Sequence, residues 1–352
     1  MNTVNTVNGP ISLDEMGLTS PHEHVFINIS NQYPGKKDVY GINGDTDKVD
    51  IKNLGALRRD CYLIRDNLII DDLETAIYEI SYLARAGVKT LVDLTLDGIG
   101  RDVVKLKAVS AATGVNIIAG CGLYTHDTIP KKFEDMSVDE LAEHFIQELT
   151  VGIGSTGIKA GIIGEIGTSE RIYPIEEKSL RAAALANKTT GVPIYIHTYP
   201  WGNAAEKAID IIEEYGCSAS DICICHVDVQ FNLDYIIAIL KRGAYIEFDD
   251  FGKEFYIIKK PGEFAGGAFA TDVERVHMLK KLSKLGYANQ ILMATDVCLK
   301  ELLRSFGGWG YDHIYSNIIP VMHNEGIDDE LINTLINVNP KRFFQGTSEC
   351  SK

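Results

Sequence analysis

Eight apolar, strand-like runs recur along this chain, and from the second onward they alternate with helical segments. "DDLETAIYEISYLARAG" starts on acids and stops at Gly87, the marks of a helix. "VKTLVDLT" is apolar and β-branched, the composition of a strand. The alternation then continues through helix "RDVVKLKAVSAATG" and strand "NIIAGCGLY". Helix "SVDELAEHFIQELTVG" carries Ser137 and Glu140 at capping-box spacing and leads to strand "GIKAGIIGEIG". Strands "PIYIHT", "DICICHVD", "AYIEFDDFG" and "QILMATDV" follow, each preceded by its own helical segment. "GLTSPHEHVF", near the start, supplies the first strand, and helical segments run on after the last.

Strands that read as continuous apolar runs belong to parallel sheets covered on both faces. Eight such units in 352 residues predict an α/β chain folded as one (β/α)8 TIM barrel, a single domain over residues 1–352. An open doubly wound sheet is the alternative, but no GxGxxG follows the first strand to favour it. The hydrophobic fraction of 45% supplies a full core. Residues 30–71 form a polar stretch too long for an ordinary connection, so a functional loop with some helix of its own is expected there.

Charge narrows the partners. The net charge is −15 and Lys and Arg form no long run, which argues against a nucleic-acid groove and an anionic membrane surface. No segment approaches the roughly 20 apolar residues of a membrane span. The opening "MNTVNTVNGP" lacks the basic-then-apolar pattern of a signal peptide. Seven cysteines, an odd and scattered set, read as reduced thiols in a cytoplasm.

The active site of a TIM barrel lies at the C-terminal ends of its strands. Here those ends carry His22 and His24 on the first strand, Glu165 on the fourth, His197 on the fifth, His226 on the sixth and Asp296 on the eighth. In a strand, residues two apart share a face, so His22 and His24 can chelate one metal while Glu23 points away. Glu170 is a second acidic candidate but falls past the strand end. Lys159 shares the face of Glu165 but sits about 20 Å lower, too deep to share a metal with it. The same alternation places Cys223 and Cys225 opposite His226, packed outward as small hydrophobes.

The motifs "TSPHEH", "GIIGEIGTSE", "YIHT", "CHVD" and "MATD", in this order, resemble the phosphotriesterase family of the amidohydrolase superfamily over nearly the whole chain. The resemblance implies a binuclear centre of two divalent metals, usually zinc, at the C-terminal ends of the strands. His22, His24 and Asp296 would hold the buried ion, and His197 and His226 the more exposed one. A carboxylate from the fourth strand would bridge both together with a hydroxide. Many members use a carbamylated lysine as the bridge, whereas the matching segment here offers Glu165, as in the family's homology-protein branch. Imidazole and carboxylate ligands suit Zn²⁺ best, with Mn²⁺ or Co²⁺ as alternatives. Asp296 would be the catalytic proton shuttle for attack by the bridging hydroxide.

The substrate expectation rests on the loop after the seventh strand, which carries Lys253, Lys259, Lys260 and Arg275 in an otherwise acidic chain. TIM barrels often hold phosphate with the loops after strands 7 and 8. Lys259 and Lys260 read as solvated surface charges, leaving Lys253 and Arg275 as the phosphate contacts. Tyr124 matches a tyrosine lining the site of the family's lactonases, and a packing role at the rim is its other reading. The leading expectation is a zinc-dependent lactonase opening a phosphorylated aldono-1,4-lactone. The alternatives are a lactonase or esterase for uncharged substrates, a weak phosphotriesterase, or a non-catalytic metal-binding scaffold. The expected partners are a small-molecule substrate and, in a homodimer, a second copy of the chain.

Overall fold

The computed structural model of the chain describes residues 2–35, 40–257 and 266–346. Eight parallel strands form its centre: β1 (Thr19–Glu23), β2 (Thr90–Asp93), β3 (Asn116–Cys121), β4 (Ile162–Gly167), β5 (Ile194–His197), β6 (Ile222–Ile224), β7 (Tyr245–Phe248) and β8 (Ile291–Met293). They lie side by side in chain order from β1 to β8. Thr19 stands opposite Thr90 at one side of the sheet and Phe248 opposite Met293 at the other, and the register shifts between Ser20 and Glu23 and between Ile163 and Ile166. The two ends meet where Asp296 N–H donates to His22 O at 3.2 Å, drawing β8 to β1 in a TIM barrel.

Helices wrap the strands: α1 (Leu73–Arg85), α2 (Val103–Thr113), α3 (Val138–Thr150), α4 (Pro174–Thr190), α5 (Ala205–Glu213), α6 (Leu233–Lys241) and α7 (Asp272–Lys284). Local chemistry sets their ends. Ser137 accepts the Glu140 N–H while Glu140 accepts the Ser137 N–H, the capping box expected for α3. Gly114 ends α2 at φ 75°, a left-handed turn where a side chain would be strained. Helical residues 314–324 and 329–345 finish the barrel. No helix among the described residues is long and apolar enough to cross a membrane. The six described cysteines are all free thiols.

Two features extend the barrel. Thr3–Thr6 and Gly9–Ser12 form an antiparallel hairpin around Val7 and Asn8, for which "VNG" was the available turn signal. The hairpin closes the bottom of the barrel: Asn5 donates to the carbonyls of Leu149 and Ala160, and Val7 N–H to Ile117 O. The described parts of the long polar stretch, residues 30–35 and 40–71, form a folded excursion at the opposite end. Its base is tied by antiparallel pairing of Ile27–Asn28 with Ile69–Ile70, and it holds a short helix, Leu54–Leu57. Ile42, Val49, Leu57, Leu63 and Ile64 give its described residues a small apolar core of their own.

Candidate metal centre

At the C-terminal mouth of the barrel, β1 turns His22 and His24 inward and Glu23 outward. Glu23 is fully buried and accepts from Ser20 Oγ, Thr295 N, Thr295 Oγ1 and Val297 N. It therefore ties β1 to the segment after β8 and sets the position of Asp296, which lies between its partners.

Glu165 projects from β4 between two pairs of imidazoles. Its Oε1 lies 3.4 Å from His24 Nε2, and its Oε2 lies 3.7 Å from His22 Nε2. The same Oε2 is 3.4 Å from His197 Nδ1 and 3.3 Å from His226 Nε2. Asp296 Oδ1 is 3.1 Å from His24 Nε2 and 3.6 Å from His22 Nε2. The six residues expected to ligate metal thus converge, and Glu165 stands at the junction of the two groups His22–His24 and His197–His226. Glu170 is exposed beyond the strand end, and Lys159 is exposed beside Thr6 and Asn8 at the opposite end of the barrel.

The donor set fits a pair of cations on two counts. His22 Nε2, Glu165 Oε2 and Asp296 Oδ1 are buried without a hydrogen-bond partner, although buried polar atoms are nearly always paired. Five buried carboxylates gather here, Glu165, Glu247, Asp249, Asp250 and Asp296, against one ammonium, Lys253. A buried acidic excess of this kind is what divalent cations offset. Burial disfavours a charged His24, but hydrogen bonds and attraction from Asp296 and Glu165 outweigh it and lift the imidazole to about 9. Burial also pushes Glu165 up, yet His22, His197 and His226 hold its carboxyl well below the usual range.

A further layer orients the imidazoles. His22 Nδ1 lies 2.8 Å from Glu247 Oε2, His24 Nδ1 lies 2.8 Å from Thr95 Oγ1, and His226 Nδ1 lies 3.2 Å from Asp249 Oδ2. Anchoring one ring nitrogen aims the other at the metal position. Glu247 and Asp249 lie two residues apart in "IEFDD", so both can face inward. That spacing was the signal for an acidic barrel interior, and it went unused.

Three expectations need correction. Cys225 does not pack outward: its Sγ lies within 4.8 Å of ligand atoms of His22, Glu247 and Asp249. Cys223, two residues back and in register with Tyr195, shares that inward face. The alternation breaks at His226, whose φ of 62° swings the imidazole into the mouth out of phase with the strand. Burial pushes both thiols well up, so they remain small neutral groups.

Arg275 is the second correction. Its side chain is fully buried, with Nε 2.9 Å from Asp228 Oδ2 and NH1 3.0 Å from Asp272 Oδ1, and NH2 donates to Lys253 O. Asp228 in turn accepts the N–H groups of Asp249 and Asp250. The guanidinium therefore braces the loop after β7 and has no edge left for a substrate phosphate. Arg275→Leu is expected to cost about 3–5 kcal/mol of stability in urea unfolding, the order for stranding a buried charge. Unchanged stability with a selective loss on phosphorylated substrates would return Arg275 to the binding site.

The third correction concerns Lys253, which lines the cavity but is not a free cation. Its Nζ lies 3.0 Å from Asp250 Oδ1 and also contacts Asp296 Oδ2. Lys259 and Lys260 lie outside the described residues. Tyr124 lines the same cavity, with its hydroxyl 3.1 Å from His197 Nδ1. The cavity above the cluster holds about 670 Å³ of space, part of it open to solvent, and its walls include Ile27, Ile29, Ile99, Trp201, Phe255 and Phe269.

Comparison with known proteins agrees with this site. The model of the phosphotriesterase family matches residues 2–344. A phosphotriesterase-related protein of Nematostella vectensis is 35% identical over 346 residues, covering 96% of this chain and 97% of that one. An N-acetyltaurine hydrolase of Dictyostelium discoideum is 33% identical over 362 residues, covering 97% of each. Among solved structures, a resiniferatoxin-binding protein from Rhodobacter sphaeroides superposes with a TM-score of 0.93 at 33% identity, covering 97% of this chain and 95% of that one.

Proposed function

The chain belongs to the phosphotriesterase family of metal-dependent hydrolases, and from that premise we propose that it hydrolyses a carbonyl substrate, an N-acyl amide or a lactone, without a phosphate. The observation that carries this reading is the state of the cations. Among the described residues Lys253 is the one lysine or arginine lining the cavity, and it is ion-paired to both Asp250 and Asp296, while Arg275 is spent on Asp228 and Asp272. Among the described residues, neither is free to meet a phosphate. The mostly apolar walls suit an uncharged acyl group instead. The N-acetyltaurine hydrolases among the relatives support the amide class.

His22, His24 and Asp296 would hold one divalent ion, His197 and His226 the other, and Glu165 both. Two such ions, zinc by ligand preference, would supply Lewis acidity and bring the pKa of a water toward neutrality. Asp296 divides its two oxygens. Oδ1 faces the imidazoles, and Oδ2 is held by Lys253. Its carboxylate is placed to take a proton as water adds to the carbonyl carbon and to return it to the departing amine or alkoxide. Tyr124 closes one side of this space, and Trp201, Phe255 and Phe269 line it.

A substrate panel tests the reading: N-acetyltaurine, N-acetyl derivatives of neutral amines, aldono-lactones with and without phosphate, and a phosphotriester. Turnover of an amide or an unphosphorylated lactone is expected to exceed that of the phosphorylated lactone. A preference of about tenfold or more for the phosphorylated lactone, roughly the worth of one charge-assisted hydrogen bond, would reverse the assignment. Metal content without turnover on any member of the panel would favour a binding scaffold.

A further inference from the structure

Glu247 is an anomaly as a core residue. It lies in β7 with apolar neighbours on either side in sequence, and it is fully buried inside the barrel. A buried carboxylate persists only when something compensates for its desolvation. Glu247 Oε2 lies 2.8 Å from His22 Nδ1, and Oε1 is buried without a hydrogen-bond partner. Thus the one hydrogen bond described for this carboxylate goes to the ring of a residue at the metal centre.

The other imidazoles are anchored differently. His24 Nδ1 meets the neutral hydroxyl of Thr95. His226 Nδ1 meets Asp249, but that carboxylate also accepts His226 N–H at 3.1 Å on each oxygen and lies 3.3 Å from His22 Nδ1. Asp249 is therefore shared among backbone and two rings, whereas Glu247 serves His22 alone. With Nδ1–H donating to Glu247, the Nε2 lone pair of His22 is left facing Glu165 Oε2 at 3.7 Å and Asp296 Oδ1 at 3.6 Å. Nε2 is also one of the buried atoms that lack a partner.

Resting on the metal-dependent reading above, the geometry points to Glu247 as the positioning residue of the buried metal site: its carboxylate holds His22 in the tautomer that presents Nε2 and strengthens that nitrogen as a donor. It acts through His22 and touches no substrate. Its effect should therefore fall on one of the two ions, the one His22 shares with His24 and Asp296, and leave the ion of His197 and His226 in place.

The test is stepwise zinc binding by metal-stripped protein in competition with a chromophoric chelator, repeated with Co²⁺ to read the visible spectrum of each site. Glu247→Ala should weaken one binding step by about 10- to 100-fold and leave the other within about threefold, as expected for loss of a carboxylate behind one ligand. Glu247→Gln, which keeps an acceptor oxygen but no charge, should fall between Ala and the wild type. The far-ultraviolet circular dichroism of both variants should match the wild type. Two unchanged steps, or two steps weakened equally, would overturn the assignment, since equal weakening marks a packing role. If neither variant folds, the ¹⁵N shifts of the wild-type His22 ring decide: a hydrogen on Nδ1 supports the proposal and one on Nε2 refutes it. A wild-type protein that takes up no divalent ion would instead sink the metal-dependent reading itself, and this inference with it.

Discussion

Asp296→Asn is expected to lower kcat by about 10²–10⁴-fold, the span typical of a lost general acid–base group, with a smaller change in KM. Asparagine keeps the size of the side chain and an oxygen to face His24. It gives up the charge that accepts a proton. Burial pushes the Asp296 carboxyl up, but Lys253, His22 and His24 outweigh it and hold it ionised across the neutral range. The base form is therefore present wherever the enzyme is assayed. Lys253 keeps its second partner in the variant, Asp250 Oδ1 at 3.0 Å, so the loop after β7 should stay in place. Steady-state kinetics at confirmed full metal content is the measurement, and near-normal kcat would remove Asp296 from proton transfer.

Stripping the metal should have an effect of similar size or larger. Lewis-acid stabilisation is worth several kcal/mol, so loss of about 10³-fold or more in rate is expected after chelation. Zinc alone should restore it, to close to two ions per chain by elemental analysis. Glu165 stands between the two imidazole pairs, and Lys159 lies at the far end of the barrel, so bicarbonate should have no influence. Recovery that requires bicarbonate as well as zinc would point to a carbamylated lysine and displace Glu165. Metal uptake should also release protons. In the carboxylate cage His24 is lifted to about 9, so at pH 7 its imidazole is charged, and an incoming ion must displace that proton. Apparent affinity should therefore weaken as pH falls. Titration calorimetry in two buffers of different ionisation enthalpy reads the proton count, and a count of zero would contradict this account of the cage.

The barrel was legible because its signals are local. A strand that is covered on both faces, a capping box such as Ser137–Glu140 and a glycine stop such as Gly114 each depend on a few consecutive residues. The convergence of His22, His24, Glu165, His197, His226 and Asp296 was legible for a related reason. Parallel strands of a barrel all end at one mouth, so position at a strand end already implies proximity. The expectation of free cations failed because each has a partner remote in sequence beside a local one, Asp272 for Arg275 and Asp250 for Lys253. Arg275 looked like a free cation because its counter-ion, Asp228, lies 47 positions away. Lys253 looked free because Asp296 lies 43 away.

The amino-acid sequence by itself determined the alternation of strands and helices, the barrel that follows from it, and which six side chains stand at its mouth. These rest on periodicity and order, which survive without knowledge of any long-range contact. Only the tertiary structure decided what those groups touch. It turned His226 inward through a φ of 62° and left Cys225 beside His22. It set Glu247 behind His22 across 225 positions. It paired Lys253 and Arg275, the two cations on which the phosphate expectation rested. The physical reason is that a buried charge takes its meaning from its nearest opposite charge, and that neighbour is chosen by the closure of the barrel rather than by adjacency in the chain.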